Sequence, residues 1–178
     1  MRLLLVSRSL SGLATPRGTV TLDEIWTIGH GADSFEDFER RIGTLGIATI
    51  VDVRSRPYSR HAPDFSKPAL QEFCADAGLS YRWMGGGLGG RPADPTLLTS
   101  DGEFDMAAMR SSPAFVGAIE ELRAVAAASP TVVLCAEGDP AGCHRSTLIA
   151  PALEAAGFTV TDILKDGSTR RHQPELPL

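Results

Sequence analysis

The clearest fold signal in this chain lies at residues 131–146, which read TVVLCAEGDPAGCHRS. Residues 132–134 form an apolar run typical of a strand, and an apolar helical pattern follows at residues 148–156. The stretch therefore predicts a strand-to-helix turn that carries Cys135, Cys143 and two basic side chains. Such a turn points backbone N–H groups and the positive end of a helix dipole outward, so it suits an anion. A thiol placed there loses its proton more easily, and the thiolate is the nucleophilic form.

Strand and helix patterns alternate on both sides of this turn. Strands are expected at residues 25–28, 47–53, 80–84, 131–137 and 159–164, and helices at residues 34–45, 67–77, 115–128 and 146–156. This alternation predicts a three-layer α/β fold, with a mainly parallel five-stranded sheet and helices on both faces. We expect the strand order 3-2-1-4-5, because right-handed crossovers leave few orders open. The ends of strands 1, 2 and 4 would then meet at the carboxyl edge of the sheet, where open α/β sheets bind ligands.

The remaining segments suggest a single domain with two irregular regions. Residues 24–178 are expected to form one α/β domain, and residues 1–23 a poorly ordered extension without a sustained period. A glycine-rich and then polar loop is expected at residues 85–111, and loops of that length are often functional. Pro151 falls inside the last helical pattern, where it fits only near a first turn or at a kink.

Composition limits the partners that we expect. The 178 residues carry a net charge of −5, which argues against a broad nucleic-acid surface. A small basic pocket remains open, and its candidates are Arg54, Arg56, Arg60 and Arg91. Three cysteines fit a reducing compartment, and no segment reaches the length of a transmembrane helix. We therefore expect a cytoplasmic protein that binds a small-molecule anion and no membrane; cofactors and oligomeric state stay unknown.

Ten polar or thiol side chains fall at the expected strand ends, at the helix start or in the glycine-rich loop. Thiolates act as nucleophiles, while imidazoles and carboxylates move protons. Catalytic roles are therefore expected for Cys135, Cys143, His144, His30, Asp52 and Glu137. Arginines and the helix start suit a phosphate or a carboxylate. Anion binding is therefore expected of Arg145, Arg54, Ser146 and Arg91.

Plainer structural roles stay open beside these. Cys135 fits a small apolar core residue, and Asp52 fits a buried salt bridge to Arg54 or Arg145. The two thiols of the turn could form a reversible disulfide if their geometry allowed it. Two thiols and an imidazole also suggest zinc, but structural zinc sites usually show a short Cys-x2-4-Cys pair. That pair is missing here, so we expect no metal site.

Four motifs follow one another along the chain: TIGH at 27–30, VDVRSRP at 51–57, LGGR at 88–91, and LCAE at 134–137 continued by CHR at 143–145. They resemble the motifs of the domain of unknown function 488 family. The resemblance extends from about residue 26 to the region of Gly167, and it implies no particular activity. A weaker similarity connects residues 50–55 and 132–135 to the acidic strand and the active-site cysteine loop of rhodanese-like sulfurtransferases. Their cysteine loops are short, whereas seven residues separate the two thiols here.

The residues together predict an enzyme that acts on a small phosphorylated, nucleotide-like or sulfur-bearing substrate. Its Cys/His/Arg site would lie at the carboxyl edge of the sheet. Two alternatives stay open. The first is a non-catalytic module that binds an anion, a nucleotide or a nucleic-acid end. The second is a redox-responsive protein that switches through the Cys135–Cys143 pair.

Overall fold

The computed structural model describes residues 23–58 and 62–173. Within these ranges the chain forms a six-stranded sheet from β1 (Glu24–Gly29), β2 (Thr49–Asp52), β3 (Ser80–Trp83), β4 (Thr131–Cys135), β5 (Thr159–Ile163) and β6 (Thr169–Arg171). The extension expected at residues 1–23 lies outside the described residues except for Asp23, and Arg60 also lies outside them.

The strand order is β3-β2-β4-β1-β5-β6, and every pair is parallel except β5 with β6. The expected order 3-2-1-4-5 is wrong, because β4 lies between β2 and β1. β4 is buried at every position, and an apolar strand of this kind fits a central place with neighbours on both edges. The expected count of five strands misses β6, whose three residues, TRR, are all exposed and carry no apolar pattern.

The helices are α1 (Phe35–Gly43), α2 (Lys67–Ala77), α3 (Gly85–Leu88), α4 (Met106–Ser111), α5 (Pro113–Ala128) and α6 (Ala150–Ala155). They cover both faces of the sheet, as the alternation predicted. Core residues of α1 and α2 pack with Ile28 and Leu134 on one face, and those of α5 and α6 pack with Val51 and Val133 on the other. The segment expected as a loop at 85–111 differs from that expectation, because it holds two short helices, α3 and α4. None of the helices in the described ranges has the length and apolarity needed to cross a membrane.

The helix after β4 begins irregularly. Residues Arg145–Ile149 form a π-helical turn, and α6 follows with Pro151 in its first turn. Because proline has no N–H, Pro151 cannot donate to the carbonyl of Thr147 four residues earlier. The Arg110 guanidinium donates to that carbonyl instead, at 2.8 Å. Of the two places expected for Pro151, near a first turn or at a kink, it lies in the first turn of α6, directly after the π-helical turn.

Candidate active site

A cavity of about 560 Å³ opens at the carboxyl edge of the sheet. Seven of the ten candidate residues line it, namely His30, Arg54, Arg91, Cys135, Glu137, Cys143 and His144. The other three, Asp52, Arg145 and Ser146, are not on its wall. The error in strand order does not separate the motifs, because β4 has β1 on one side and β2 on the other. The ends of these three strands therefore meet in one cavity.

Two thiols and an imidazole form a cluster on the cavity wall. The Cys135 sulfur lies 3.4 Å from the Cys143 sulfur and 3.7 Å from His144 Nδ1. The distance from the Cys143 sulfur to His144 Nδ1 is 4.0 Å. β4 ends at Cys135, and the seven following residues bring the chain back so that Cys143 meets it. Both cysteines are free, and their sulfurs are farther apart than the roughly 2.05 Å of a disulfide bond.

The two thiols affect each other's pKa in opposite directions. A hydrogen bond from the Cys143 thiol lowers the pKa of Cys135, and the neighbouring His144 lowers it further, against the opposing effect of burial. The pKa of Cys143 is raised, because its proton is held by the Cys135 sulfur and because the group is buried. These opposite shifts of the pKa favour the thiolate on Cys135 and the proton on Cys143.

Arg145 lies beneath the loop that follows β4 instead of on the cavity wall. Its side chain is buried, and it donates hydrogen bonds to the carbonyl oxygens of Glu137 and Gly138. It also donates to the Cys143 sulfur at 3.3 Å. These contacts hold the loop and place a positive charge beside the thiol pair. The hydroxyl of Ser146 is buried without a hydrogen-bond partner among the described residues.

Asp52 and Arg54 form a buried ion pair behind the cavity. The Asp52 carboxylate accepts from Arg54 Nε at 2.8 Å and from Arg54 Nη2 at 2.6 Å. It also accepts from the Arg54 backbone N–H at 3.1 Å and from the Tyr81 hydroxyl at 2.8 Å. The structural salt bridge that the sequence left open for Asp52 is thus made to Arg54. The Asp52 side chain is fully buried, and these hydrogen bonds hold Arg54 at the wall.

His30 is engaged at both ring nitrogens. Arg54 Nη1 lies 3.2 Å from His30 Nε2, and the other nitrogen, Nδ1, lies 3.0 Å from the Gly31 carbonyl. Because arginine only donates, Nε2 is the acceptor and Nδ1 carries the proton. Burial lowers the pKa of His30, and so does the Arg54 charge. The ring also stacks on Phe65, so contacts with Phe65, Gly31 and Arg54 hold His30 at the wall.

The cavity mouth is basic. Arg56 and Arg91 line it with exposed side chains, and neither pairs with a carboxylate among the described residues. The Arg91 backbone N–H donates to Ser55 Oγ at 2.9 Å, which fastens the glycine-rich segment to the end of β2. Glu137 is the one carboxylate among the described lining residues. Arginine side chains therefore outnumber carboxylates among the lining residues.

Several lining residues were not among the candidates from sequence. Ser55 follows the second strand within the RSRP run, which was itself the signal that could have found it. Its neighbour Arg56, which was expected as a candidate for a small basic pocket, also lines the cavity. Tyr58 and Phe104 also line the cavity, but they lie on irregular segments that carry no periodic pattern. Gly90 lies against His144, so close that a Cβ atom there would be 2.9 Å from the imidazole.

A cation could be held by the same cluster. The sulfurs of Cys135 and Cys143 and Nδ1 of His144 all lie within 4.8 Å of one another. The expectation of no metal site depended on ligand spacing along the chain. The fold brings the three donor atoms together in spite of that spacing.

The fold and the site describe an α/β protein with a paired-cysteine cavity at the carboxyl edge of its sheet. The family model described as "Domain of unknown function DUF488" matches residues 34–151, and the chain belongs to this family. No curated protein and no solved structure matches the chain. The weaker similarity to rhodanese-like sulfurtransferases therefore finds no support among known proteins.

Proposed function

We propose that the protein is a thiol-dependent enzyme that acts on a small anionic substrate, with Cys135 as its nucleophile. One observation carries the proposal: Cys135 lines a cavity, and its sulfur contacts a second thiol and an imidazole, at 3.4 and 3.7 Å. A nucleophilic cysteine beside a histidine at the edge of a ligand cavity is a recurrent arrangement for covalent catalysis. A cysteine that only filled space in the core would need none of these neighbours.

The charges on the wall support an anionic substrate. The charge of Arg54 is balanced by Asp52, whereas Arg56 and Arg91 at the mouth keep theirs. Guanidinium groups suit phosphate and carboxylate groups, which they bind through paired hydrogen bonds. The substrate class that we propose is therefore a small phosphorylated, nucleotide-like or sulfur-bearing anion.

The chemical step is a group transfer to sulfur. The Cys135 thiolate attacks the electrophilic atom of the substrate, and the new bond forms as the bond to the leaving group breaks. The leaving group takes the proton that the thiol pair shares, or one from His144, which lies beside both sulfurs. Water or an external thiol then removes the transferred group and restores the thiolate. Glu137 faces the same cavity and is placed to move a proton in that second step.

Three candidate residues take supporting roles in this proposal. Asp52 holds Arg54, and His30 accepts a hydrogen bond from the same guanidinium. Arg145 anchors the loop and donates to the Cys143 sulfur, so it acts on the thiol pair from behind. None of the three contacts substrate in this account, so they are positioning residues.

A second function is favoured by the contact between the sulfurs. At 3.4 Å, the Cys143 sulfur is near enough to attack a Cys135 sulfur that has been oxidised. An oxidant such as a hydroperoxide would convert the Cys135 thiolate to a sulfenic acid. Attack by Cys143 would then release water and leave a disulfide, which an external dithiol reduces. A redox-responsive dithiol protein is therefore the alternative to substrate turnover.

Alkylation of each cysteine tests the proposed function. The reduced chain, held in a chelator, is treated with iodoacetamide at neutral pH, and each site is followed by mass spectrometry. Cys74 is the internal control, because it is buried in α2 and burial raises its pKa to about 11. We expect Cys135 to react at least about a hundredfold faster than Cys74. Equal rates at Cys135 and Cys74 would overturn the proposal.

Protection against alkylation then tests the substrate class. Inorganic phosphate, thiosulfate and adenosine monophosphate represent its three members. We expect at least one of them to slow the labelling of Cys135 in the wild type, and to do so much less in Arg56→Ala and Arg91→Ala. If none protects at any accessible concentration while Cys135 stays reactive, the redox alternative is supported against the anion-transfer enzyme.

A further inference from the structure

We infer that Cys135, Cys143 and His144 also form a binding site for one Zn²⁺ ion, and that the bound ion blocks the nucleophile. The inference rests on the site of the proposed function and adds its regulation. In this inference the Zn²⁺ ion binds and leaves reversibly, and the metal-free chain is the active form.

The distances between the donor atoms match a zinc site. With zinc–sulfur bonds of about 2.3 Å and zinc–nitrogen bonds of about 2.0 Å, tetrahedral geometry separates two sulfurs by about 3.8 Å and a sulfur from a nitrogen by about 3.5 Å. The two sulfurs are 3.4 Å apart here, and the sulfur-to-Nδ1 distances are 3.7 and 4.0 Å. Shifts of a few tenths of an ångström would complete the geometry.

The surroundings of the cluster also suit a divalent ion. Two thiolates cancel the double positive charge, so a buried zinc centre of this composition is neutral. Arg145 donates to the Cys143 sulfur at 3.3 Å, which is the outer contact that metal-bound thiolates commonly receive. Since the cluster is on the cavity wall, the cavity leaves a fourth position for water or for an anion.

The imidazole indicates exchangeable binding. A histidine that ligates a metal almost always donates its other ring N–H to a carboxylate or carbonyl, which strengthens the site. His144 Nε2 is buried and has no such partner among the described residues. The site also has three protein ligands instead of the four of a closed structural site. Both features favour a zinc ion that enters and leaves.

Zinc would inhibit the proposed reaction directly. The lone pair with which Cys135 attacks a substrate is the one that bonds to the metal. A loaded site therefore cannot form the sulfur–substrate bond, and removal of the ion restores it.

Cobalt substitution tests the inference by spectroscopy. The full chain is stripped of metal, kept reduced with a phosphine, and titrated with Co²⁺. We expect thiolate-to-cobalt charge transfer and visible bands of tetrahedral cobalt that saturate at one equivalent and disappear when Zn²⁺ is added. Cys143→Ser and His144→Ala should each weaken binding at least about tenfold, while Cys74→Ser, which is remote from the cluster, should match the wild type. Circular dichroism shows whether each variant is folded.

The outcomes separate the inference from the proposed function. One equivalent of Zn²⁺ should slow iodoacetamide labelling of Cys135 at least about tenfold, and a chelator should restore it. Absence of the thiolate-to-cobalt band, or equal bands in folded Cys143→Ser and wild type, would overturn the zinc site. Fast labelling of Cys135 in the metal-free chain would then leave the proposed function standing. Slow labelling of the metal-free chain defeats the proposed function, whatever cobalt does.

Discussion

Replacing Asp52 with asparagine removes the charge that holds Arg54 at the cavity wall. The carboxylate is fully buried and accepts three hydrogen bonds from Arg54 and one from Tyr81. In Asp52→Asn the guanidinium stays almost buried, but no opposite charge lies against it, and the new amide group presents donors toward the donors of Arg54. Breaking a buried ion pair by removing one partner costs about 3–5 kcal/mol. We therefore expect the free energy of unfolding to fall by that amount.

This loss would be a large part of the total free energy of unfolding. Domains of this size are stable by about 5–15 kcal/mol, so the variant should unfold at a much lower urea concentration with the slope of the transition unchanged. Glu120→Gln is the matched control, because it breaks an exposed carboxylate–arginine pair of similar length. The distances are 2.7 Å for Glu120–Arg123 and 2.6 Å for Asp52–Arg54. The control should lose less than about 0.5 kcal/mol.

Two comparisons make the reasoning refutable. Tyr81→Phe deletes one hydrogen bond from a neutral hydroxyl to the charged Asp52 carboxylate and should cost about 1.5–3 kcal/mol, between the control and Asp52→Asn. If Asp52→Asn unfolds at the same urea concentration as Glu120→Gln, the carboxylate does not hold a buried charge, and the account of Arg54 and of the wall it forms is wrong.

Three further perturbations act on the cavity and its supports. In Gly90→Ala the new Cβ would lie 2.9 Å from the His144 ring, so we expect alkylation of the thiol pair to slow at least about tenfold without loss of fold; an unchanged rate would show that the imidazole plays no part. In Gly29→Ala the Cβ would lie 1.6 Å from the carbonyl oxygen of Glu137, in the loop after β4, which should lower the free energy of unfolding in urea by more than about 3 kcal/mol. Gly117→Ala, which has open space around it, should not destabilise its helix. Equal stabilities of the two variants would contradict the close approach at Gly29. Burial lowers the pKa of His30 below its ordinary 6.5, so the unfolded chain takes up that proton first, and stability should fall as the pH drops below about 6.5; His30→Gln should lose this part of the pH dependence, and an identical pH profile would refute it.

The alternating pattern of the chain was enough to predict the layered α/β fold and the convergence of its motifs. Parallel strands that share a sheet end at the same edge, so the residues after β1, β2 and β4 meet whether β4 is central or not. This is why His30, Arg54 and Cys143 were correctly expected in one cavity although the strand order was wrong. The apolar runs have similar compositions, so the sequence does not indicate which strands are neighbours in the sheet.

The orientation of charged side chains could not be predicted in the same way. Arg145 and Asp52 stand beside site residues in sequence, but both turn away from the cavity toward partners behind it. Those partners are the carbonyl groups of a loop and a guanidinium, and their positions depend on the finished fold. The approach of Cys135 to Cys143 and His144 likewise depends on how a seven-residue segment closes, which spacing alone does not reveal.

The most direct measurement of the central claim is the rate of Cys135 alkylation as a function of pH, in metal-free Cys74→Ser protein. The hydrogen bond from Cys143 and the nearby His144 lower the pKa of the Cys135 thiol. The account therefore predicts that the rate at about pH 6 stays close to the rate at neutral pH. A rate that falls about tenfold for each pH unit below neutrality, as for an ordinary thiol, would contradict it.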